Sequence, residues 1–268
     1  MTVDDAETPR GRGRRPKSGD PVIDRALRLL ESFDTDRPRL SLGELSRHSG
    51  IPLSSTYRLA ERLCAWGALE RDDEGRYTVG LRLYEVASLA PRGLGLRERA
   101  LPYMGDLAEA TRQHVLLAVR EGDDALLVER LSGHRAMPVL YRVGGRLPLH
   151  STGVGLVLLA FADHSYREDY LLRPLTHEPE HTPVVPTELR RRIAEVRRDR
   201  AAILFREVPE PLLSVAGPVF GADDEVVAAL SVIVPQGYED ARRLVPPLHM
   251  ATRAISRALG ARKAIGLA

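Results

Sequence analysis

The chain has 268 residues, 39 Lys+Arg against 37 Asp+Glu, 43% apolar residues and one cysteine. That much apolar chain can bury a core in one large or two ordinary domains, which excludes wholesale disorder. A lone Cys64 excludes a disulfide framework, no run reaches the roughly eighteen apolar residues of a membrane span, and the first residues lack a secretory signal's apolar stretch. The expectation is a cytoplasmic protein with no membrane partner.

The charge is unevenly placed. Arg10, Arg12, Arg14, Arg15 and Lys17 lie between Thr8 and Gly19 without an acid. From Pro21 to Glu85 there are ten arginines against eleven acids. Residues 1–19 therefore read as a disordered basic arm, and bulk charge on the folded part gives no reason to bind nucleic acid.

Regular structure is expected from Asp20-Pro21, an N-cap and first helical residue, followed by a stripe of Ile23, Leu27 and Leu30. Ser41-Leu42-Gly43-Glu44 is a capping box that opens a short helix, and Gly50 reverses the chain after it. A third helix runs from Pro52 to Trp66. Thr56, Leu59, Ala60, Leu63 and Trp66 share its core face, and Ser54, Tyr57, Arg58, Glu61 and Ala65 face outward. Alternation on either side of Asp72-Asp73-Glu74-Gly75 predicts a hairpin. Helix, helix, tight turn, helix and hairpin make a winged helix-turn-helix over residues 20–81. Its outward face carries small hydroxyls and one arginine at the end that enters a major groove, a face suited to double-stranded DNA.

A linker helix with breaks at Pro91 and Gly93-Gly95 is expected over 82–97, ahead of a mixed domain over 98–262. There the pattern predicts helices at Leu101–Thr111, Gly153–Ala162, Glu188–Arg198 and Asp240–Leu259, the last bent or broken at Pro246-Pro247. Six strands are expected at His114–Arg120, Ala125–Leu131, Met137–Val143, Ala202–Arg206, Ser214–Phe220 and Val226–Val234. Hairpin-linked strands with helices around them indicate an α+β fold with a six-stranded antiparallel sheet.

VIDRALRLLESF, LSLGELSRHSGIPLSSTYRLAERL, ERDDEGRYTVGLRL, GGRLPLHSTGVGLVLLAF and SVAGPVFGADDEVVAALSVIVP, in this order from Val22 onward, resemble the IclR family of bacterial transcriptional regulators. The resemblance implies a DNA-binding winged helix-turn-helix, a linker helix and a GAF-like α/β effector-binding domain. It also implies a homo-oligomer, dimer or tetramer, that binds an operator and a small-molecule effector. Ser54, Ser55, Tyr57 and Arg58 fall where members contact DNA. Arg71 and Arg76 flank the wing tip. The arm, with Arg12 and Arg14, resembles in part an AT-hook that enters the minor groove.

The effector positions implied are Gly153, Val154 and Gly155 at a helix start, with Leu204, Ser214, Ser231 and Ile233. Members frequently carry Lys at the position of Leu156, an acid at Leu204, Cys at Ser214 and a second serine at Ile233. At Leu204 and Ile233 polar anchors have become aliphatic, so the expected effector is an aromatic or otherwise largely apolar acid; the expected function is that of a repressor. His177-Glu178-Pro179-Glu180-His181 matches a zinc-protease string, but its proline assigns it to a loop. No metal, cofactor or catalytic set is expected. The alternative is a metabolite-binding protein or enzyme built on the C-terminal domain, with a vestigial DNA-binding module.

Overall fold

The computed structural model describes residues 20–34, 36–90, 94–134, 136, 141–177, 182–206, 211–235 and 240–262. They divide into two compact units between Leu89 and Ala90. Arg12 and Arg14 of the arm lie outside the described residues, as do Pro91 and Gly93.

In the first unit α1 (Val22–Glu31), α2 (Leu42–Ser49) and α3 (Leu53–Trp66) enclose a core of Leu29, Leu40, Leu45, Ile51, Ala60, Leu69 and Tyr77. Pro21 is the N-cap of α1 rather than its first residue, and Asp20 instead pairs with Arg28 at 2.6 Å. The α2 capping box forms as expected: Glu44 N–H donates to the Ser41 hydroxyl, and Ser41 N–H donates to the Glu44 carboxylate at 2.8 Å. Gly50 (φ 66°) and Gly67 (φ 87°) end α2 and α3 in the left-handed region that glycine tolerates. Trp66 departs from expectation. It is 51% exposed, with the Arg82 guanidinium over its ring, because the core face of α3 ends a turn earlier, at Leu63.

The hairpin β1 (Leu69–Arg71) and β2 (Tyr77–Val79) is antiparallel, and Leu40 adds a bridge on its far side by exchanging both backbone bonds with Tyr77. A helix α4 (Leu81–Ala87) follows. The expected 82–97 helix is therefore two pieces, because α5 (Leu94–Thr111) begins earlier than Leu101 and carries Pro102 inside it.

The second unit is a six-stranded antiparallel sheet in the order β5-β4-β3-β10-β9-β8, formed by β3 (His114–Glu121), β4 (Asp124–Ser132), β5 (Arg146–Pro148), β8 (Ala202–Arg206), β9 (Leu212–Phe220) and β10 (Val226–Pro235). The third strand was expected at Met137–Val143. Residues 137–140 lie outside the described residues, 141–143 are not strand, and 146–148 pair with β4 instead.

One face of the sheet packs on α6 (Gly153–Ala160), α7 (His164–Leu171) and α8 (Pro186–Asp199), the other on α5 and α9 (Val245–Ala258). Alternation along β10 sorts the faces: Ala229, Ser231 and Ile233 turn to the α6 side, Leu230, Val232 and Val234 to the α5–α9 side. Strands covered on both faces read as the continuous apolar runs seen in β3 and β10. A small pair, β6 (Thr176–His177) and β7 (Thr182–Pro183), flanks residues 178–181, so most of the protease-like string is outside the described residues. Pro246-Pro247 start α9 after a short 3-10 turn instead of breaking it.

Candidate functional site

The first candidate site is the outward face of α3. Its entry is fixed by one carbonyl: Ile51 accepts hydrogen bonds from the Ser46 hydroxyl at 2.6 Å and the Thr56 hydroxyl at 3.1 Å. Thr56 is thus fully buried and satisfied, which leaves Ser54, Tyr57 and Arg58 exposed and Ser55 half-buried on the other side. Neither Ser54 nor Arg58 spends its polar group on a side-chain bond among the described residues. The wing turn is held by Asp72, whose carboxylate accepts from Glu74 N–H and Arg76 N–H at 3.1 and 2.8 Å. Arg71 folds over that turn, 5.5 Å from the Tyr77 ring centre, and Arg76 lies 3.7 Å from Glu74. Both arginines are exposed at the wing.

The second candidate site lies between the N-terminus of α6 and the sheet. Thr152 caps α6: its hydroxyl accepts from Gly155 N–H at 3.1 Å and donates to Pro148 O at 2.8 Å. Gly153 comes so near β9 that a Cβ would stand 2.3 Å from the Ser214 hydroxyl. The cavity there is about 20 Å³, room for one water molecule, and is lined by Gly153, Val154, Leu204, Ser214, Ser231 and Ile233 among others. Six of the seven expected effector residues are therefore brought together. Gly155 is not. Its N–H is engaged by Thr152, and a Cβ on it would lie 2.4 Å from Pro148 O, so packing explains this glycine. Leu156, the position where members often carry Lys, is buried in the core and does not line the cavity.

Leu116, Tyr141, Leu147 and Leu212 also line the cavity and were missed in the sequence, where they look like any core residue. The Ser231 hydroxyl is fully buried without a hydrogen-bond partner. A buried hydroxyl left so costs about 1–3 kcal/mol, a penalty that a ligand acceptor removes. Behind the cavity loop the His150 Nδ1 sits 2.9 Å from the Tyr170 hydroxyl, and burial pushes that phenol up to about 12, so it stays neutral. Among the described residues no three His, Cys, Asp or Glu gather to hold a metal, and no helix is long and apolar enough to cross a membrane.

A winged helix-turn-helix unit and a sheet unit with a small cavity define a DNA-binding regulator with an effector-binding domain. The domain family "IclR helix-turn-helix domain" matches residues 22–73, and "Bacterial transcriptional regulator IclR C-terminal" matches 90–257. A solved structure of an IclR homolog from Microbacterium hydrocarbonoxydans, complexed with 4-hydroxybenzoate, is 33% identical over 89% of this chain and 99% of its own, with a TM-score of 0.83. The regulator XynR of Escherichia coli is 27% identical over 89% of this chain and 96% of its own length. The Pca regulon regulatory protein of Pseudomonas putida is 28% identical over 88% and 84%. The chain belongs to the IclR family of bacterial transcriptional regulators, and like those relatives it is a regulator rather than an enzyme.

Proposed function

We propose that the protein is a repressor whose hold on a roughly palindromic operator is relaxed by a largely apolar acid, with an aromatic acid the best fit. The lining of the cavity carries this reading. Leu116, Leu204, Leu212 and Ile233 surround the Ser214 hydroxyl and the fully buried, unpartnered hydroxyl of Ser231, beside the start of α6. Backbone N–H groups and the dipole at a helix start favour a carboxylate, and aliphatic walls favour a ring. The 4-hydroxybenzoate complex of the Microbacterium hydrocarbonoxydans homolog supports the same class. A cavity that admits benzene measures ~150 Å³, so binding must part the lining side chains, a rearrangement through which a ligand biases one conformation over another.

In this reading residues 1–19 add basic charge, 20–81 bind DNA, 82–97 link, and 98–262 hold the effector and oligomerise, in the cytoplasm where the operator is. Ser54, Ser55, Tyr57 and Arg58 meet the major groove, Arg71 and Arg76 the flanking phosphates, and Arg12 and Arg14 the minor groove. Exposed Val22, Ile23 and Leu27 along α1 support a homo-oligomer paired through this half.

The test is thermal denaturation of the full chain with 4-hydroxybenzoate, benzoate or pyruvate, alongside operator binding by anisotropy. A ligand at a hundred times its dissociation constant stabilises by about 2.7 kcal/mol. Aromatic acids should raise the melting temperature and release the operator. A shift with pyruvate alone would overturn the effector class, and tighter operator binding with the acid would overturn the repressor reading.

A further inference from the structure

The turn between β5 and α6 brings the start of α6 to the cavity, and three side-chain bonds fix it. Thr152 makes two of them, donating to Pro148 O at 2.8 Å and accepting from Gly155 N–H at 3.1 Å. The third leaves the turn: His150 Nδ1 lies 2.9 Å from the Tyr170 hydroxyl of α7, with both side chains buried. α7 is mostly polar and buries only Tyr170 and Leu171. It is anchored in its turn to the bend between β3 and β4. There Asp123 pairs with Arg173 at 2.6 Å, and the Tyr166 hydroxyl stands 3.0 Å from both Gly122 O and Asp123 Oδ1. Arg173 also covers the Tyr170 ring, 5.4 Å from its centre.

The turn delivers a pair of backbone donors. The first N–H groups of a helix have no partner inside it. Here Thr152 takes two, that of Gly155 with its hydroxyl and that of Leu156 with its carbonyl. Those of Gly153 and Val154, both on the cavity wall, make no hydrogen bond among the described residues. The unpartnered Ser231 hydroxyl belongs to the same lining. Donors of this kind hold an anion well only when their position is set before the ligand arrives, which is the task of supporting side chains behind them.

We propose that the bond between His150 and Tyr170 is the latch that sets the Gly153 and Val154 donors, so that both side chains are positioning residues for the effector carboxylate. The proposal rests on the effector reading above and adds where the preference for an acid originates. Neither His150 nor Tyr170 lines the cavity, so they act through the backbone that follows His150. Cutting the bond leaves the Thr152 cap and the aliphatic walls in place but unties the turn from α7. The two N–H groups then lose their fixed position, and the acid loses affinity.

The experiment is calorimetric titration of the full chain with benzoate, with the melting temperature of each ligand-free variant as a check on folding. Tyr170→Phe and His150→Ala should each weaken benzoate about tenfold, equivalent to ~1.4 kcal/mol. The two together should be no weaker than either alone, because both changes cut the same bond. His150→Asn should bind as the wild type does, since its amide offers a donor and an acceptor where Nδ1 stood; loosened packing would not give that rescue. A wild type that binds no benzoate overturns the effector reading and the latch with it. Wild-type binding that Tyr170→Phe leaves unchanged overturns the latch alone, as does additivity in the double variant or an Asn variant as weak as the Ala one. Where a variant melts too early to titrate, the wild type decides. Benzoate should shift the amide NMR signals of Gly153 and Val154 more than those of the rest of α6, and still signals there overturn the proposal.

Discussion

Gly153 and Ser214 stand so close that a side chain on the first would need the space of the second's hydroxyl: a Cβ there falls 2.3 Å from Oγ and 3.3 Å from the Ala216 Cβ. The start of α6 is thus pressed onto β9 where the cavity lies, an approach that only a residue without a side chain permits.

Gly153→Ala is expected to lower stability by about 1–3 kcal/mol and to weaken effector binding, since α6 must back away from the sheet. Thermal melting with and without 4-hydroxybenzoate reads both; an unchanged melting temperature would show that β9 yields without cost.

Ser231→Ala should separate binding from folding. It removes a buried hydroxyl that has no partner, so stability should hold or rise by about 1 kcal/mol while affinity for the acid falls. A loss of stability would mean the hydroxyl is satisfied within the fold.

Arg58 and Thr56 are neighbours on α3 with opposite expectations. Arg58→Ala should cost about 1–3 kcal/mol of operator affinity and leave the melting temperature unchanged. Thr56→Val deletes a buried bond to Ile51 O and should cost about 1 kcal/mol of stability, measured by urea denaturation. Equal operator affinity for wild type and Arg58→Ala would remove Arg58 from the reading surface.

Glu188 gives a pH marker. Side-chain bonds from Arg191 and then Arg192 lower its carboxyl to about 2 from an ordinary 4.5. A lowered folded value means that the contribution is fully present above about pH 4.5 and is lost as pH falls toward 2. Carboxyl NMR should show a midpoint near 2, and Arg191→Gln with Arg192→Gln should return it toward 4.5. The groups are solvent-exposed, so salt should weaken the effect.

Removing residues 1–19 takes away five basic side chains. If they neutralise phosphates, the slope of log affinity against log salt should flatten by up to about four units; an identical slope in the truncated chain would detach the arm from binding.

Most of the first unit was legible because its signals are local. The capping box at Ser41 and Glu44, the glycine stops and the wing turn each act within a few residues, and all formed. Elements fixed by distant packing were harder to read. α7 (His164–Leu171) is mostly polar and buries only Tyr170 and Leu171, so no stripe announced it. The strand that closes one sheet edge is three residues long, and the more apolar Met137–Val143 stretch drew the expectation away from it. In the cavity Gly153, Val154, Leu204, Ser214, Ser231 and Ile233 were reached through the family resemblance. Leu116 and Leu212 were not, because they differ from core leucines only in what they face.

The paired bonds onto the Ile51 carbonyl, from Ser46 and Thr56, set the angle of α3 with no help from its exposed side chains. Scaffold and script are thereby uncoupled. On the proposed reading, in which Ser54, Tyr57 and Arg58 meet the bases, they are free to be exchanged one at a time for other letters, so a lineage would acquire new target promoters by point substitution while the shape that presents those letters stays the same.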